Sequence, residues 1–221
     1  MDPTPMIRAD GLVKHFDGGL IKALDGVGLE VRLGEVCAIT GPSGCGKSTL
    51  LNLIGALASP TRGEIRIDGR PLAELGPACL YRRRYLGFVF QLHHLIPDLT
   101  LCENVEIPLM TTALGRRKRR ERAMALLAEM GLEHRAGSMP SRVSGGERQR
   151  AAVARALAME PPIVLADEPT GSLDSRNAGL ILDALLARCR QLNTTLVIVT
   201  HDPGVAARAD RVVEMLDGRI L

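Results

Sequence analysis

Val36-Cys37-Ala38-Ile39-Thr40 runs without a charge into GPSGCGKS at 41–48, and Leu50, Leu51, Leu53, Ile54 and Leu57 then recur at helical spacing. An apolar run that does not alternate with polar residues reads as a strand covered on both faces. Such a strand needs helices above and below it, which commits the chain to a layered α/β domain with a parallel sheet. The turn matches G-x-x-x-x-G-K-[ST] in the strand–turn–helix context that the motif requires. Gly44 and Gly46 allow the backbone to wrap close to an anion. Amides at the start of the helix, with its dipole, favour phosphate there. Lys47 adds a point charge aimed between the β- and γ-phosphates, and the Ser48 hydroxyl suits Mg²⁺. A glycine-rich turn that merely joins strand to helix is the plain alternative.

The rest of the chain fits the same layered plan. Residues 7–14 and 22–31 read as an antiparallel pair joined by a turn at Gly18-Gly19, and residues 47–57 as the helix after the loop. Two more buried-strand runs lie at 163–166 and 195–199. A helix over 176–192 between them buries Ile181, Leu185, Cys189 and Leu192, making a strand–helix–strand crossover. Residues 91–159 carry no buried-strand run and read as a helical subdomain inserted into one domain over 6–221, whose core comprises 6–90 and 160–221.

The run ending Ala166-Asp167-Glu168-Pro169 delivers two carboxylates at the C-terminal end of a strand, where open α/β sheets bind ligands. With this strand beside the first, Asp167 would lie near the metal of the phosphate loop. Glu168, on the other side of the pleat, would orient and deprotonate an attacking water. His201 ends the later strand and would reach the γ-phosphate. Ser144, with Glu147 three residues on, forms a capping box that starts a helix over 148–159. Ser144-Gly145-Gly146 is also a second anion-ready helix start. Two phosphate-type sites for one nucleotide suggest two copies of the chain, each ATP lying between one copy's loop and the other's Ser-Gly-Gly.

Composition excludes several classes. No run of roughly 18 apolar residues is present, so no membrane span is expected, and the N-terminus lacks a signal-peptide pattern. Two Tyr, three Phe and no Trp disfavour an aromatic platform for single strands. With 28 basic and 25 acidic residues, the charge does not single out a polyanion. Five cysteines with irregular spacing and no CxxC read as reduced thiols in a cytosolic protein.

In this order, Gly41–Ser48, Gln91, Ser144–Glu147, Asp167–Glu168, Ser172-Leu173-Asp174 and His201 resemble the motifs of the ATP-binding cassette (ABC) ATPases over nearly the whole chain. Val143 and Glu147 stand where the family's signature has Leu and Gln. The resemblance implies a P-loop NTPase, RecA-like core with an antiparallel β subdomain and the inserted helical subdomain. It implies ATP and Mg²⁺ as cofactors. Nucleotide contacts would come from Phe16 (stacking on adenine), Gly41, Pro42, Ser43, Gly44, Cys45, Gly46, Lys47, Ser48, Thr49, Ser144, Gly145, Gly146, Glu147 and Asp174. Metal contacts would come from Ser48, Gln91 and Asp167, and catalysis from Glu168, His201, Gln91 and Lys47. Phe16 as an ordinary core residue is the alternative to stacking. A homodimer closed by ATP and opened by hydrolysis would drive integral membrane permease subunits.

QLHHLIPDLT at 91–100, GLEHRA at 131–136 and LDSRNA at 173–178 are similar to the ATPase subunit of lipoprotein-releasing exporters. HDPGVA at 201–206 is equally similar to macrolide-type efflux pumps. The first resemblance implies a peripheral protein on the cytoplasmic face of a bacterial inner membrane. His93 and His94 read as surface residues with no assigned role. A P-loop kinase or GTPase would leave Ser-Gly-Gly and His201 without a task, and a soluble DNA-repair or translation cassette would carry long heptads that are absent here. Arg116-Arg117-Lys118-Arg119-Arg120 reads as a solvated helix start, so no nucleic-acid partner is expected.

Overall fold

The computed structural model describes residues 4–171 and 175–221. In chain order, β1 (Ile7–Phe16) and β2 (Ile21–Val31) are followed by β3 (Val36–Thr40) and α1 (Lys47–Ile54). Next come β4 (Arg62–Ile67), β5 (Arg70–Pro71), α2 (Ala78–Tyr85) and β6 (Leu86–Val89). Three helices follow without a strand: α3 (Leu101–Leu109), α4 (Arg116–Glu129) and α5 (Gly145–Leu157). The chain ends with β7 (Ile163–Asp167), α6 (Ser175–Leu192), β8 (Thr195–Val199), α7 (Pro203–Ala206), β9 (Arg211–Leu216) and β10 (Arg219–Ile220).

Two sheets result. One is antiparallel, in the order β2-β1-β4-β5. The other has six strands in the order β10-β9-β3-β8-β7-β6, parallel from β9 to β6. Side chains of the parallel strands alternate between two cores. Cys37, Ile39, Ile163, Leu165, Val197 and Val199 meet α1 and the antiparallel sheet. Val36, Val164, Ala166, Leu196 and Ile198 meet α3, α4, α5 and α6. Both faces are dry, which is why these strands read as continuous apolar runs.

Two expectations are corrected. β7 does not lie beside β3, because β8 is inserted between them. The sequence shows which runs are buried, but pairing order depends on long-range packing that no local pattern encodes. The helix after the loop also stops at Ile54 rather than at 57. Gly55 caps it, Ala56 takes φ 49°, and Leu57 is left 47% exposed. β6 escapes a reading by periodicity because it has only four residues, one of them glycine.

Candidate functional site

β3, β8 and β7 run parallel and end at the same edge, so the residues that follow them meet there. The loop after β3 leads into α1 through Gly46, which holds φ 106° as its N-cap. Lys47 is only 8% exposed, and its ammonium donates to the carbonyls of Gly41 and Pro42, each at 2.8 Å. The Cys45 sulfur lies 3.8 Å from the same nitrogen. A buried cation must be hydrogen-bonded, and here the loop itself supplies the acceptors.

Ser48, one residue further along α1, donates to Asp167 Oδ1 at 3.1 Å. Because α1 packs across β8 onto β7, the two residues meet although their strands are not neighbours. Partial burial raises the Asp167 carboxyl above its ordinary value, and Glu168 adds to the rise. The Ser48 hydrogen bond and the Lys47 charge oppose it. A hydroxyl and a carboxylate in contact, with the carboxylate under-compensated, form a hard-oxygen donor pair that fits Mg²⁺.

Glu168 sits just past β7 with φ 46°, and its N–H donates to the Val199 carbonyl at 2.9 Å. That bond fixes the acid to the end of β8. Glu168 Oε1 lies 2.7 Å from His201 Nδ1, and the Thr200 hydroxyl approaches Oε2 at 3.5 Å. The His201 imidazole therefore meets the acid directly, a contact that the sequence reading did not foresee. Gln91 flanks the same spot: a Cβ built on Gly171 would lie 3.4 Å from both Gln91 Nε2 and Glu168 Cβ.

Ser144 and Glu147 form the expected capping box. The Glu147 N–H donates to Ser144 Oγ at 3.2 Å, and the Ser144 N–H donates to Glu147 Oε2 at 2.8 Å. Arg135 Nε donates to the other Glu147 oxygen at 3.2 Å. The backbone bond from Ser144 holds Glu147 below the usual carboxylate range, and Arg135 deepens the effect. The acid that replaces the family's Gln is thus folded back and paired with a cation. Gly145 and Gly146 begin α5 at this point.

Phe16 is 42% exposed at the end of β1, with the Lys14 ammonium 5.0 Å from its ring centre, so it is not an ordinary core phenylalanine. Ser43 and Gly44 lie in the exposed part of the loop, while Cys45 is buried and Thr49 half-buried. Asp174, with Ser172 and Leu173, lies outside the described residues. The basic cluster starts α4 and is exposed apart from half-buried Arg119, as expected of a solvated helix start; Arg117 faces Glu121 at 3.5 Å, Arg120 faces Glu106 at 3.2 Å, and Arg119 donates to Leu114 O at 2.8 Å. A cavity of about 420 Å³ lined by Ala58, Ile65, Pro71, Leu72 and Tyr81, with Ser59 and Glu64, includes none of the site residues named above.

Three residues escaped the sequence reading. Asn104, fully buried, accepts from Ile96 N–H at 2.7 Å and donates to Ile96, Leu99 and Thr100 carbonyls, fixing the loop after Gln91. Arg155 on α5 donates to the carbonyls of His94 at 2.6 Å and His93 at 2.8 Å. Both histidines have left-handed φ; His93 is half-buried, whereas His94 is exposed, as expected, and stacks 4.8 Å from Phe90. Burial, aided by the Arg148 charge, lowers the His93 imidazole from its ordinary value. Gln149 is the third. A buried Asn, Arg or Gln in a helix has no spacing signature, so only tertiary contacts reveal these three.

The profile of the ABC transporter family matches residues 24–171. The lipoprotein-releasing system ATP-binding protein LolD of Chromohalobacter salexigens is 46% identical over 97% of this chain and 92% of its own length. The macrolide export ATP-binding/permease protein MacB 1/2 of Paracoccus denitrificans is 45% identical over 99% of this chain, which spans 33% of that protein. The ATP-binding cassette MJ0796, solved as a dimer in a post-hydrolysis state with ADP and Pi, superposes with a TM-score of 0.90. It is 43% identical over 97% of this chain and 96% of its own.

Proposed function

This chain belongs to the ABC transporter family, and on that premise we propose that it is the ATP-hydrolysing subunit of an exporter that releases lipoproteins from a bacterial inner membrane. The ATPase part of the reading is carried by the meeting of the Lys47 loop, the Ser48–Asp167 pair at 3.1 Å and the Glu168–His201 pair at 2.7 Å at one sheet edge, and the lipoprotein part is supported by the 46% identity to a LolD protein. Lys47 exchanges its carbonyl acceptors for oxygens of the β- and γ-phosphates, to which its ammonium donates, and the loop amides hold the remaining phosphate oxygens. Ser48 Oγ, Asp167 and the Gln91 side chain would hold Mg²⁺. The metal supplies charge neutralisation of the β- and γ-oxygens. Glu168 takes the proton of the attacking water, and the His201 ring fixes the carboxylate's orientation. Phe16 stacks on adenine.

A second copy completes the site. Its Ser144 hydroxyl and the amides of Gly145 and Gly146 face the γ-phosphate, with Glu147 capping that turn, and its Asp174 meets the interface. The reading is supported by the dimeric state of MJ0796, 43% identical to this chain, and by the anion-ready start of α5. No described helix is long and apolar enough to cross a membrane. In this reading the working assembly also includes integral permease subunits, with this chain peripheral on the cytoplasmic face. Macrolide-type export is the second reading, favoured by the 45% identity to a MacB protein. Lipoprotein co-purifying with the assembled complex separates the two.

Glu168→Gln tests the chemistry. The variant retains ATP binding, loses roughly 10²–10⁴-fold in turnover and accumulates as an ATP-bound dimer on gel filtration. Turnover near the wild-type rate would remove Glu168 as the base.

A further inference from the structure

Gln149 lies on α5, one turn beyond the Ser144 cap, and is 1% exposed. Its amide nitrogen donates to the Pro169 carbonyl at 2.8 Å and to the Phe90 carbonyl at 3.3 Å. Pro169 directly follows Glu168, and Phe90 directly precedes Gln91. One side chain therefore ties together the segment carrying the acid, the segment carrying the glutamine and the helix whose first turn is Ser144-Gly145-Gly146. No residue of the 41–48 loop is among its partners. The same helix also grips the far side of the Gln91 loop, where Arg155 holds the His93 and His94 carbonyls.

We infer that Gln149 is a positioning residue, which locks Glu168 and Gln91 to the start of α5 through its bonds to the Pro169 and Phe90 carbonyls. An amide suits this task because one nitrogen offers two N–H donors in a plane to two carbonyls from different elements. A buried carbonyl that loses its donor is costly, so the two segments remain at the distance that the amide sets. When the first turn of α5 engages an anion, its movement reaches the acid and the glutamine as one displacement. The inference rests on the ATPase reading above.

The test uses the full chain, with steady-state ATP hydrolysis and equilibrium ATP binding measured for wild type, Gln149→Leu and Gln149→Glu. Gln149→Leu removes both donors, and the expected loss in kcat is roughly ten- to a hundredfold. The ATP Kd should stay within about twofold, because the phosphate loop is untouched. Gln149→Glu adds a readout that a packing role would not move. Its carboxylate faces two carbonyl oxygens and offers no donor. Protonated, it donates one hydrogen bond, and burial raises the pH at which it protonates. Its kcat relative to wild type should therefore climb as pH falls, whereas the Gln149→Leu ratio stays flat. If Gln149→Leu does not fold, the pH profile of Gln149→Glu decides alone. Wild-type kcat at neutral pH in either variant, an ATP Kd that weakens in step with kcat, or a flat Gln149→Glu ratio overturns the inference. A wild-type chain that hydrolyses no ATP overturns the underlying ATPase reading instead, so the two failures are distinct.

Discussion

The motif fixes glycine at position 46 and leaves position 44 open, and alanine at each of Gly44 and Gly46 should separate stability from binding. Gly46 has φ 106°, and a Cβ there would sit 2.3 Å from the Ala23 carbonyl oxygen and 2.9 Å from Leu24 Cδ2. Gly44 has φ 81°, and a Cβ there meets nothing within 4 Å. Both substitutions force an L-residue into left-handed backbone, costing ~1–2 kcal/mol. Only Gly46→Ala also drives β2 away from α1, which adds ~1–3 kcal/mol of overpacking. Gly46→Ala should therefore be less stable than Gly44→Ala by about 1–3 kcal/mol in urea unfolding with an unchanged m-value. In a chain of this size that is roughly 2–12 °C in Tm. The binding order should be the reverse. The added methyl of Gly44→Ala fills the open side of the loop, so this variant should lose most of the thermal stabilisation that saturating ATP gives wild type, about 2.7 kcal/mol at a hundredfold excess over Kd. Gly44→Ala proving at least as unstable as Gly46→Ala, or keeping the full ATP-dependent gain, would refute the argument that Gly46 serves packing and Gly44 serves the ligand.

Asp167→Asn should raise the Tm of the metal-free, nucleotide-free chain at neutral pH while abolishing the extra stabilisation by Mg²⁺ with ATP. The folded carboxyl lies above its unfolded value, so its penalty is full above the folded pKa and disappears below the unfolded one, about 3.9. The gain in Asp167→Asn should vanish as pH falls to that point in a chelator-containing melt series, and a pH-independent gain would contradict the burial argument. Ser144→Ala removes the side-chain cap of α5 and should cost about 1 kcal/mol, whereas Glu147→Gln keeps the reciprocal bond to the Ser144 N–H. Glu147 is held below its unfolded value, so its contribution is present above about pH 4.3 and is lost as pH falls through the folded pKa. Glu147→Gln should be the less acid-sensitive chain, and identical acid-unfolding curves would remove the carboxylate from the cap.

Much of the site was legible because its parts are local. The spacing of Gly41, Gly46, Lys47 and Ser48 identifies a phosphate loop wherever it folds, and Ser144 with Glu147 announces a capped helix start from four residues alone. The apolar runs at β3, β7 and β8 are visible because burial on both faces suppresses alternation. Strand order was not legible. β8 lies between β3 and β7, and Asp167 reaches Ser48 only because α1 crosses over it. Short or interrupted elements, such as β6 and the end of α1, escaped for lack of enough periods to count.

The sequence by itself determined which chemical groups this chain possesses and the secondary structure on which most of them sit, because caps, turns and apolar periods act over a few residues. The tertiary structure alone decided which groups touch: His201 against Glu168, Ser48 against Asp167, and Gln149 beneath the Phe90 and Pro169 carbonyls. Those contacts join residues between 20 and 119 positions apart. They are set by the packing of whole strands and helices, which no local pattern records.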